Sequence, residues 1–326
     1  MKTPHFWYQP SSHLTSLLSP LTFIYDRFRR KKISSSQQSI SCPTLSVGNV
    51  TAGGSGKTPV CIMLIELIKQ AQLALSPYVI TSGYGGLIKG TELIEPETLA
   101  YIAGDEALLL TAHAPVIVSK NRLNGAEYAQ HLGADLIILD DGLQNKFLKP
   151  SLSFCVVDGD YGFGNGQLLP AGPLREPLDE AFERIDAVII IGDDKYNLQS
   201  TLPASMQIFY VRLKAQTDHI DKNLDYIGFC GIGLPEKFFK TASAQNINIV
   251  DREIFADHYP YTKMDIVRLT QKAIDKNARL LTTSKDMIKI KSITNDVSLF
   301  DVLPISIQAD DPVKLLDFIK DRITTC

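Results

Sequence analysis

TAGGSGKT, residues 51–58, is the stretch on which the fold turns. Thr51, Ala52, Gly53, Gly54, Ser55, Gly56, Lys57 and Thr58 read as a phosphate-binding P-loop, the cradle of a nucleoside triphosphate. Its glycines let backbone N–H groups turn inward around phosphate oxygens, Lys57 reaches toward the β and γ oxygens, and Thr58 offers a hydroxyl to magnesium. The flanks have the form such a loop requires. Leu45, Val47 and Val50 make a short apolar run ahead of it, and Val60, Met63, Leu64, Leu67 and Ile68 recur at helical spacing behind it. Pro59 falls in the first turn of that helix, where a missing N–H is harmless. One position departs from the general pattern GxxxxGK(S/T): Thr51 stands where the first glycine is expected.

Further along, LIILDDG (residues 136–142) is an apolar strand ending in two carboxylates. Alone it fits a turn with a capping aspartate. Beside a P-loop it reads as the strand that brings Asp140 and Asp141 to the carboxyl edge of a sheet, where magnesium on the phosphates needs hard oxygen ligands. Around these anchors apolar runs alternate with helical patterns. Strands are expected at 78–81, 116–118, 136–139, 154–157, 187–191 and 208–211, with helices at 106–111 and 125–131. The same grammar restarts after residue 215, with strands at 226–230, 247–250, 279–283 and 305–307 and a helix at 264–277. The fold class is therefore α/β: a P-loop NTPase-like parallel sheet with helices on both faces, a smaller C-terminal α/β domain, and an N-terminal amphipathic helix. The expected domains are residues 1–32, 33–215 and 216–326, the last boundary falling near the polar stretch 214–223.

The chain has 326 residues, 44% of them hydrophobic and 21% charged, an ordinary globular balance with room for two cores. A net charge of −3 gives no electrostatic reason to expect nucleic acid as a partner. Cys42, Cys61, Cys155, Cys230 and Cys326 show no CxxC spacing, which suggests neither a zinc site nor a disulfide framework and fits a reducing, cytosolic setting. Near the N-terminus Leu14, Leu17, Leu18, Leu21, Ile24, Tyr25 and Phe28 recur at steps of three and four and run into Arg27, Arg29, Arg30, Lys31 and Lys32. The apolar stretch is shorter than the ~20 residues that span a bilayer, and no signal-peptide cleavage site follows. A helix starting with Ser19 as cap and Pro20 at its first position has two readings. It lies in the interface of an anionic membrane, with Phe6, Trp7 and Tyr8 ahead of it, or it packs on the protein's own core with the basic run solvated.

Three further groups are chemically ambiguous on local grounds. Asp105, in GDEALLL (residues 104–110), is either a helix N-cap or a functional carboxylate, and His258, in FADHYPY (residues 255–261), is either a structural loop histidine or a catalytic one. Arg175, in GNGQLLPAGPLREP (residues 164–177), belongs either to an anion pocket or to a rigid loop.

Taken together and in order, SVGNVTAGGSGKTP, SGYGG, GDEALLL, DDGLQ, GNGQLLPAGPLREP, GIGLPEKFF, DHYPY and SKD (residues 284–286) give the chain a resemblance over nearly its whole length. It resembles the tetraacyldisaccharide 4'-kinases of the lipid A pathway in Gram-negative bacteria. That family has a non-glycine residue where Thr51 stands. The resemblance implies a monomeric kinase held peripherally on the cytoplasmic face of the inner membrane. It would use ATP and Mg2+ to phosphorylate an acylated glucosamine disaccharide 1-phosphate, giving lipid IVA. It implies that Asp105, paired with His258, activates or orients the sugar 4'-hydroxyl, the pair forming when the two domains close. Lys57 would neutralise charge on the moving phosphoryl group, Thr58, Asp140 and Asp141 would serve Mg2+, and Arg175 would belong to the nucleotide site. Ser82 replaces a family arginine, Asn145 a family histidine and Ala107 a common proline, which leaves Lys120, Arg122 or Arg175 to supply the missing guanidinium contact. Two other classes share parts of this pattern: a membrane-positioning ATPase switch, whose signature lysine would stand at Ala52, and a kinase for a small soluble metabolite.

Overall fold

The computed structural model describes residues 4–9, 12–31 and 37–323. A 3-10 turn (His5–Tyr8) leads to α1 (His13–Lys31). The first α/β unit follows as β1 (Thr44–Gly48), α2 (Lys57–Gln70), β2 (Pro77–Thr81), β3 (Thr91–Ile94), α3 (Ala100–Ala103), α4 (Asp105–Thr111), β4 (Val116–Ser119), α5 (Arg122–His131), β5 (Leu136–Asp140), β6 (Leu152–Asp158), α6 (Leu178–Phe182), β7 (Ala187–Ile191) and β8 (Gln207–Ala215). The second unit contains β9 (Asp225–Cys230), α7 (Pro235–Ala244), β10 (Asn248–Ile254), α8 (Lys263–Asp275), β11 (Arg279–Thr282), α9 (Ser284–Lys291) and β12 (Phe300–Val302). The chain ends with β13 (Ile305–Ala309) and α10 (Pro312–Ile323).

The first sheet runs β13-β8-β7-β6-β1-β5-β2-β4-β3. Its seven inner strands are parallel, and only the edge strands β3 and β13 run antiparallel to their neighbours. β1, β5, β6 and β7 are buried along their whole lengths. Continuous apolar strands of this kind are what a parallel sheet covered on both faces demands. Val60, Leu64 and Ile68 of α2 pack on one face with Leu110 of α4, and Ala126 and Ala129 of α5 pack on the other. The second sheet, β10-β9-β11-β12, is all parallel, with Phe238 and Phe239 of α7 on one side and Ile266, Leu269 and Ile290 of α8 and α9 on the other.

Two sequence expectations need correction here. Residues 305–323, counted with the C-terminal domain, rejoin the first sheet: β13 pairs with β8 in the register Val211↔Ala309. Leu315 and Ile319 of α10, both fully buried, enter the same core as Val60 and Leu64. An exposed β8 edge and an unpartnered apolar helix face are both removed by this return. The second correction concerns α1, which begins at His13 and carries Pro20 inside it. Pro20 has no N–H to give the carbonyl of Ser16, and the Ser19 hydroxyl donates to that carbonyl instead at 3.0 Å. The expected strands and helices are otherwise present with shifted ends, while β3, β12, α3, α6, α7, α9 and α10 had no expected counterpart.

α1 is docked by its polar stripe. Tyr25 donates to the Arg175 carbonyl at 2.9 Å, Asn165 donates to the Thr15 hydroxyl at 3.2 Å, and Arg29 pairs with Glu180 at 2.7 Å. Leu17, Phe23 and Phe28 point outward, 73%, 75% and 64% exposed. The aromatic residues ahead of the helix do not share this exposure. The Trp7 indole N–H donates to the Pro170 carbonyl at 3.0 Å, and the Tyr8 and Tyr161 rings lie 4.7 Å apart, so this stretch packs on the protein rather than extending the apolar face. Lys32 lies outside the described residues, and Arg30 is engaged by Asp26 and Glu180. Among the described residues no helix is long and apolar enough to cross a membrane.

Candidate active site

The P-loop sits between the end of β1 and the start of α2, as its flanks require. Gly56 caps α2 at φ 80°, a left-handed conformation that calls for glycine, and a Cβ there would also press on the Ile191 side chain. The loop is braced from outside. Ala52 N–H donates to the Pro173 carbonyl at 2.7 Å, and Arg175 N–H donates to the Val50 carbonyl at 2.8 Å. The glycine- and proline-rich segment around 164–177 is thus a rigid backing for the loop and also the means of aiming Arg175. Tyr8, Asp158, Tyr161 and Leu234 close around residues 51–55 from the other side.

β5 ends with Asp140 fully inside the sheet edge, and Asp141 follows at φ 53°. The two carboxylates have opposite surroundings. Burial, and then the charge of Glu106, push the Asp140 carboxyl up to about 7 against the pull of Lys57. Burial also works on Asp141, but Lys57 at 3.7 Å and Arg175 at 3.2 Å outweigh it and hold that carboxyl below its ordinary value. The Thr58 hydroxyl lies 3.5 Å from Asp140 Oδ2. Thr58, Asp140 and Asp141 thus place three hard oxygen donors beside the loop, a set suited to Mg2+. Among the described residues no group of three or more His, Cys, Asp or Glu lies together as a metal cage, and Thr58, Asp140 and Asp141 are the residues that would hold a Mg2+ beside the loop.

Asp105 is the first residue of α4, and Gly104, at φ 91°, occupies the cap position expected of it. The Asp105 side chain is buried. Its Oδ1 accepts from the Glu106 N–H at 3.0 Å, and its Oδ2 faces His258 Nδ1 at 3.2 Å and Lys285 Nζ at 3.7 Å. Oδ2 is buried with these two side chains facing it, and a carboxylate oxygen has more than one lone pair, so it keeps accepting capacity. Burial works to raise the Asp105 carboxyl, and the His258 contact and the Lys285 charge more than offset it, leaving it lowered. His258 stands at φ 55° in the loop after β10, its N–H donating to the Gly231 carbonyl at 3.2 Å. Asp105 and His258 come from different units and already face each other in this arrangement, where domain closure was expected to bring them together.

The SKD motif fastens the second unit over the first. Asp286, fully buried, accepts from Gly231 N–H at 3.0 Å and from the Thr283 hydroxyl at 2.8 Å. This fixes the loop whose Gly233 lies over the P-loop: a Cβ on Gly233 would be 3.7 Å from Gly54 N. Lys285, next in the motif, reaches into the site. Lys237 of α7 pairs with Asp158 and, at 3.6 Å, with Asp160 of the first unit. Neither Lys285 nor Lys237 is assigned a role by the sequence patterns. The signal for Lys285 was there: a lysine in the first turn of a helix opposes the helix dipole and needs a carboxylate partner.

Two cavities share a wall made by Gln144, Asn145, Lys146 and Arg175. One, of about 560 Å³, lies beside α1 and is lined by Tyr25, with the largely exposed Phe28 at its open side. The other, of about 570 Å³, holds Ser82, Tyr84, Lys120 and Arg122. Of the residues expected to replace the guanidinium missing at Ser82, Arg122 donates to the Ser119 and Asp140 carbonyls and Arg175 to Asp141 and Gln144, while Lys120 is exposed on the rim. The Asn145 side chain accepts from Phe147 N–H at 3.1 Å and donates to the Leu148 carbonyl, so it closes its own turn.

Comparison with known proteins agrees with this geometry. The family model described as Tetraacyldisaccharide-1-P 4'-kinase (LpxK) matches residues 14–324. The tetraacyldisaccharide 4'-kinase of Paramagnetospirillum magneticum is 37% identical over 327 residues, 99% of each chain. That of Bradyrhizobium sp. is 33% identical over 334 residues, 100% of this chain and 96% of the relative. The crystal structure of the "apo" form of LpxK from Aquifex aeolicus in complex with ATP superposes with a TM-score of 0.74 at 25% identity, covering 95% of this chain and 99% of that one. A P-loop, a magnesium-type donor set and an Asp–His pair on one sheet edge, in a chain matched along its length, lead to one conclusion: the chain belongs to the tetraacyldisaccharide-1-P 4'-kinase family.

Proposed function

We propose that this chain transfers the γ-phosphoryl group of ATP to the 4'-hydroxyl of tetraacyldisaccharide 1-phosphate, forming lipid IVA in lipid A biosynthesis, with the residues named above in specific roles. The observation that carries the assignment of roles is Asp105 Oδ2, buried, with accepting capacity left, and faced by His258 beside the P-loop edge. That oxygen orients the 4'-hydroxyl and takes its proton as the new bond to phosphorus forms. Lys57 binds the β and γ oxygens, a role supported by its place in the loop, 3.7 Å from Asp141. Thr58, Asp140 and Asp141 would hold Mg2+, which would supply neutralisation of charge on the phosphate oxygens. Arg175 fixes Asp141 and stands at the wall between the two cavities.

The acceptor is an acylated sugar phosphate. The cavity with Lys120, Arg122 and Arg175 suits its polar part, and the cavity beside α1, lined by Tyr25 with Phe28 at its open side, suits its apolar part. The outward apolar stripe of α1 supports a peripheral seat on an anionic membrane, at the cytoplasmic face of the inner membrane, where such a substrate lies. The test is incubation of the purified protein in detergent with Mg-ATP and tetraacyldisaccharide 1-phosphate, followed by mass spectrometry. Product bearing one added phosphate from wild type and none from Lys57→Ala is the expected result. ATP hydrolysis on vesicles without a phosphorylated lipid would overturn the reading in favour of an ATPase switch.

A further inference from the structure

Lys285 is a cation placed where a helix least favours one, in the first turn of α9, and it is largely buried. Its ammonium lies 3.2 Å from His258 Nε2, 3.1 Å from Glu106 Oε1 and 3.7 Å from Asp105 Oδ2. Burial disfavours the charged form of this lysine, and the carboxylates Glu106, Asp105 and Asp257 outweigh burial, so it stays an ammonium. An ammonium has three donors and no acceptor. At 3.2 Å from Nε2 it donates, and Nε2 of a neutral imidazole must then be the acceptor. The ring proton is left on Nδ1, the nitrogen that faces Asp105 at 3.2 Å. A competing arrangement is close at hand. Asp257 Oδ1 lies 3.9 Å from the same Nε2 and would draw a proton to it, which would leave Nδ1 as a bare lone pair facing the Asp105 carboxylate. The groups facing the ring are Asp105, Asp257, Lys285 and the Tyr84 ring, whose centroid is 5.1 Å away. Of these only the lysine donates to Nε2.

We propose that Lys285 is a positioning residue for phosphoryl transfer: by donating to Nε2 of His258 it selects the Nδ1–H tautomer and holds the ring against Asp105. It touches neither phosphate nor acceptor in this assignment. Its effect passes through His258, whose Nδ1–H stabilises the ionised form of Asp105 and leaves Oδ2 aimed at the acceptor hydroxyl. The inference rests on the Asp105 and His258 roles proposed above.

The experiment uses the full chain with 15N-labelled histidine, in wild type, Lys285→Met and Lys285→Gln, with His258→Gln to assign the ring signal. Two-bond 15N–1H correlation spectra read the tautomer without turnover. Thermal melting confirms folding, and kcat and KM are measured for ATP and acceptor. In wild type His258 is expected as the Nδ1–H form. Lys285→Met should move the ring toward the Nε2–H form and lower kcat about 10- to 100-fold, with KM for ATP within about threefold. Lys285→Gln, whose amide N–H can still donate to Nε2, should recover the tautomer and much of kcat. A wild-type ring protonated on Nε2 overturns the proposal. So does a Met variant that loses kcat with the tautomer unchanged, or equal losses in Met and Gln. A wild type that makes no lipid product while showing the lysine-dependent tautomer would instead count against the proposed reaction.

Discussion

Asp105→Asn keeps the shape of the side chain and removes its charge, so it separates chemistry from packing. If Asp105 Oδ2 receives the acceptor proton, this variant should lose about 10²- to 10⁴-fold in kcat while ATP affinity by calorimetry changes little, because Asp105 lies off the P-loop. Lys57→Ala should differ in kind. It removes a group that binds the β and γ oxygens, and it releases Asp141 from one of its two cations, so both ATP affinity and turnover should fall. Calorimetric titration with Mg-ATP beside the product assay checks both variants. Equal ATP affinities in the two would undo the division of labour. Asp105 was open in the sequence because a carboxylate after glycine at a helix start is usually a cap. The structure separates the two jobs by giving the cap position to Gly104, which frees Oδ2.

At the scale of elements, α1 shows how a periodic apolar stripe can be read and still leave its direction open. The helix is held by Thr15, Tyr25 and Arg29, and its large apolar side chains point away. Leu17→Asp with Phe23→Asp should therefore leave the melting temperature nearly unchanged, since neither side chain packs on the body, and should sharply reduce sedimentation with anionic vesicles. A large drop in melting temperature would mean that the stripe serves the protein's own core. α8 carries a full capping box, with Thr262 accepting from Asp265 N–H and Asp265 from Thr262 N–H. Thr262→Ala should cost about 1 kcal/mol in chemical denaturation, the ordinary worth of such a cap.

At the scale of the whole molecule, the two α/β units are tied by chain topology and by charge. The return of β13 and α10 to the first sheet places Leu315 in the core behind the P-loop helix. Leu315→Ala should destabilise the protein by about 2 to 5 kcal/mol, and because the unit it weakens carries the P-loop, added Mg-ATP should recover part of the loss in a thermal melt. The Asp105 contact with His258 and Lys285 joins the units electrostatically, and its sign with pH is fixed. The carboxyl is held below its ordinary 3.8, so the pair contributes fully above that value and is lost as pH falls through the lower folded one. The melting-temperature gap between wild type and Asp105→Asn should be wide near about pH 6 and narrow toward about pH 3. A gap that does not change over this range would mean that the pair adds nothing to the union of the units.

Local spacing by itself determined the P-loop, the buried strand ending in Asp140 and Asp141, and the alternation that makes a parallel α/β sheet, because each of these is written within a few consecutive residues. Strands buried on both faces announce themselves as unbroken apolar runs. The short β3 and α3 left no such trace, and α10, although amphipathic, carries nothing local to name the sheet it joins. Tertiary structure alone decided that β13 closes the first sheet, that α1 turns its apolar side outward, and that Lys285 meets a histidine 27 residues away and a glutamate 179 residues away. Contacts over such separations depend on how the two sheets are set against each other, and no periodicity in a single chain encodes that.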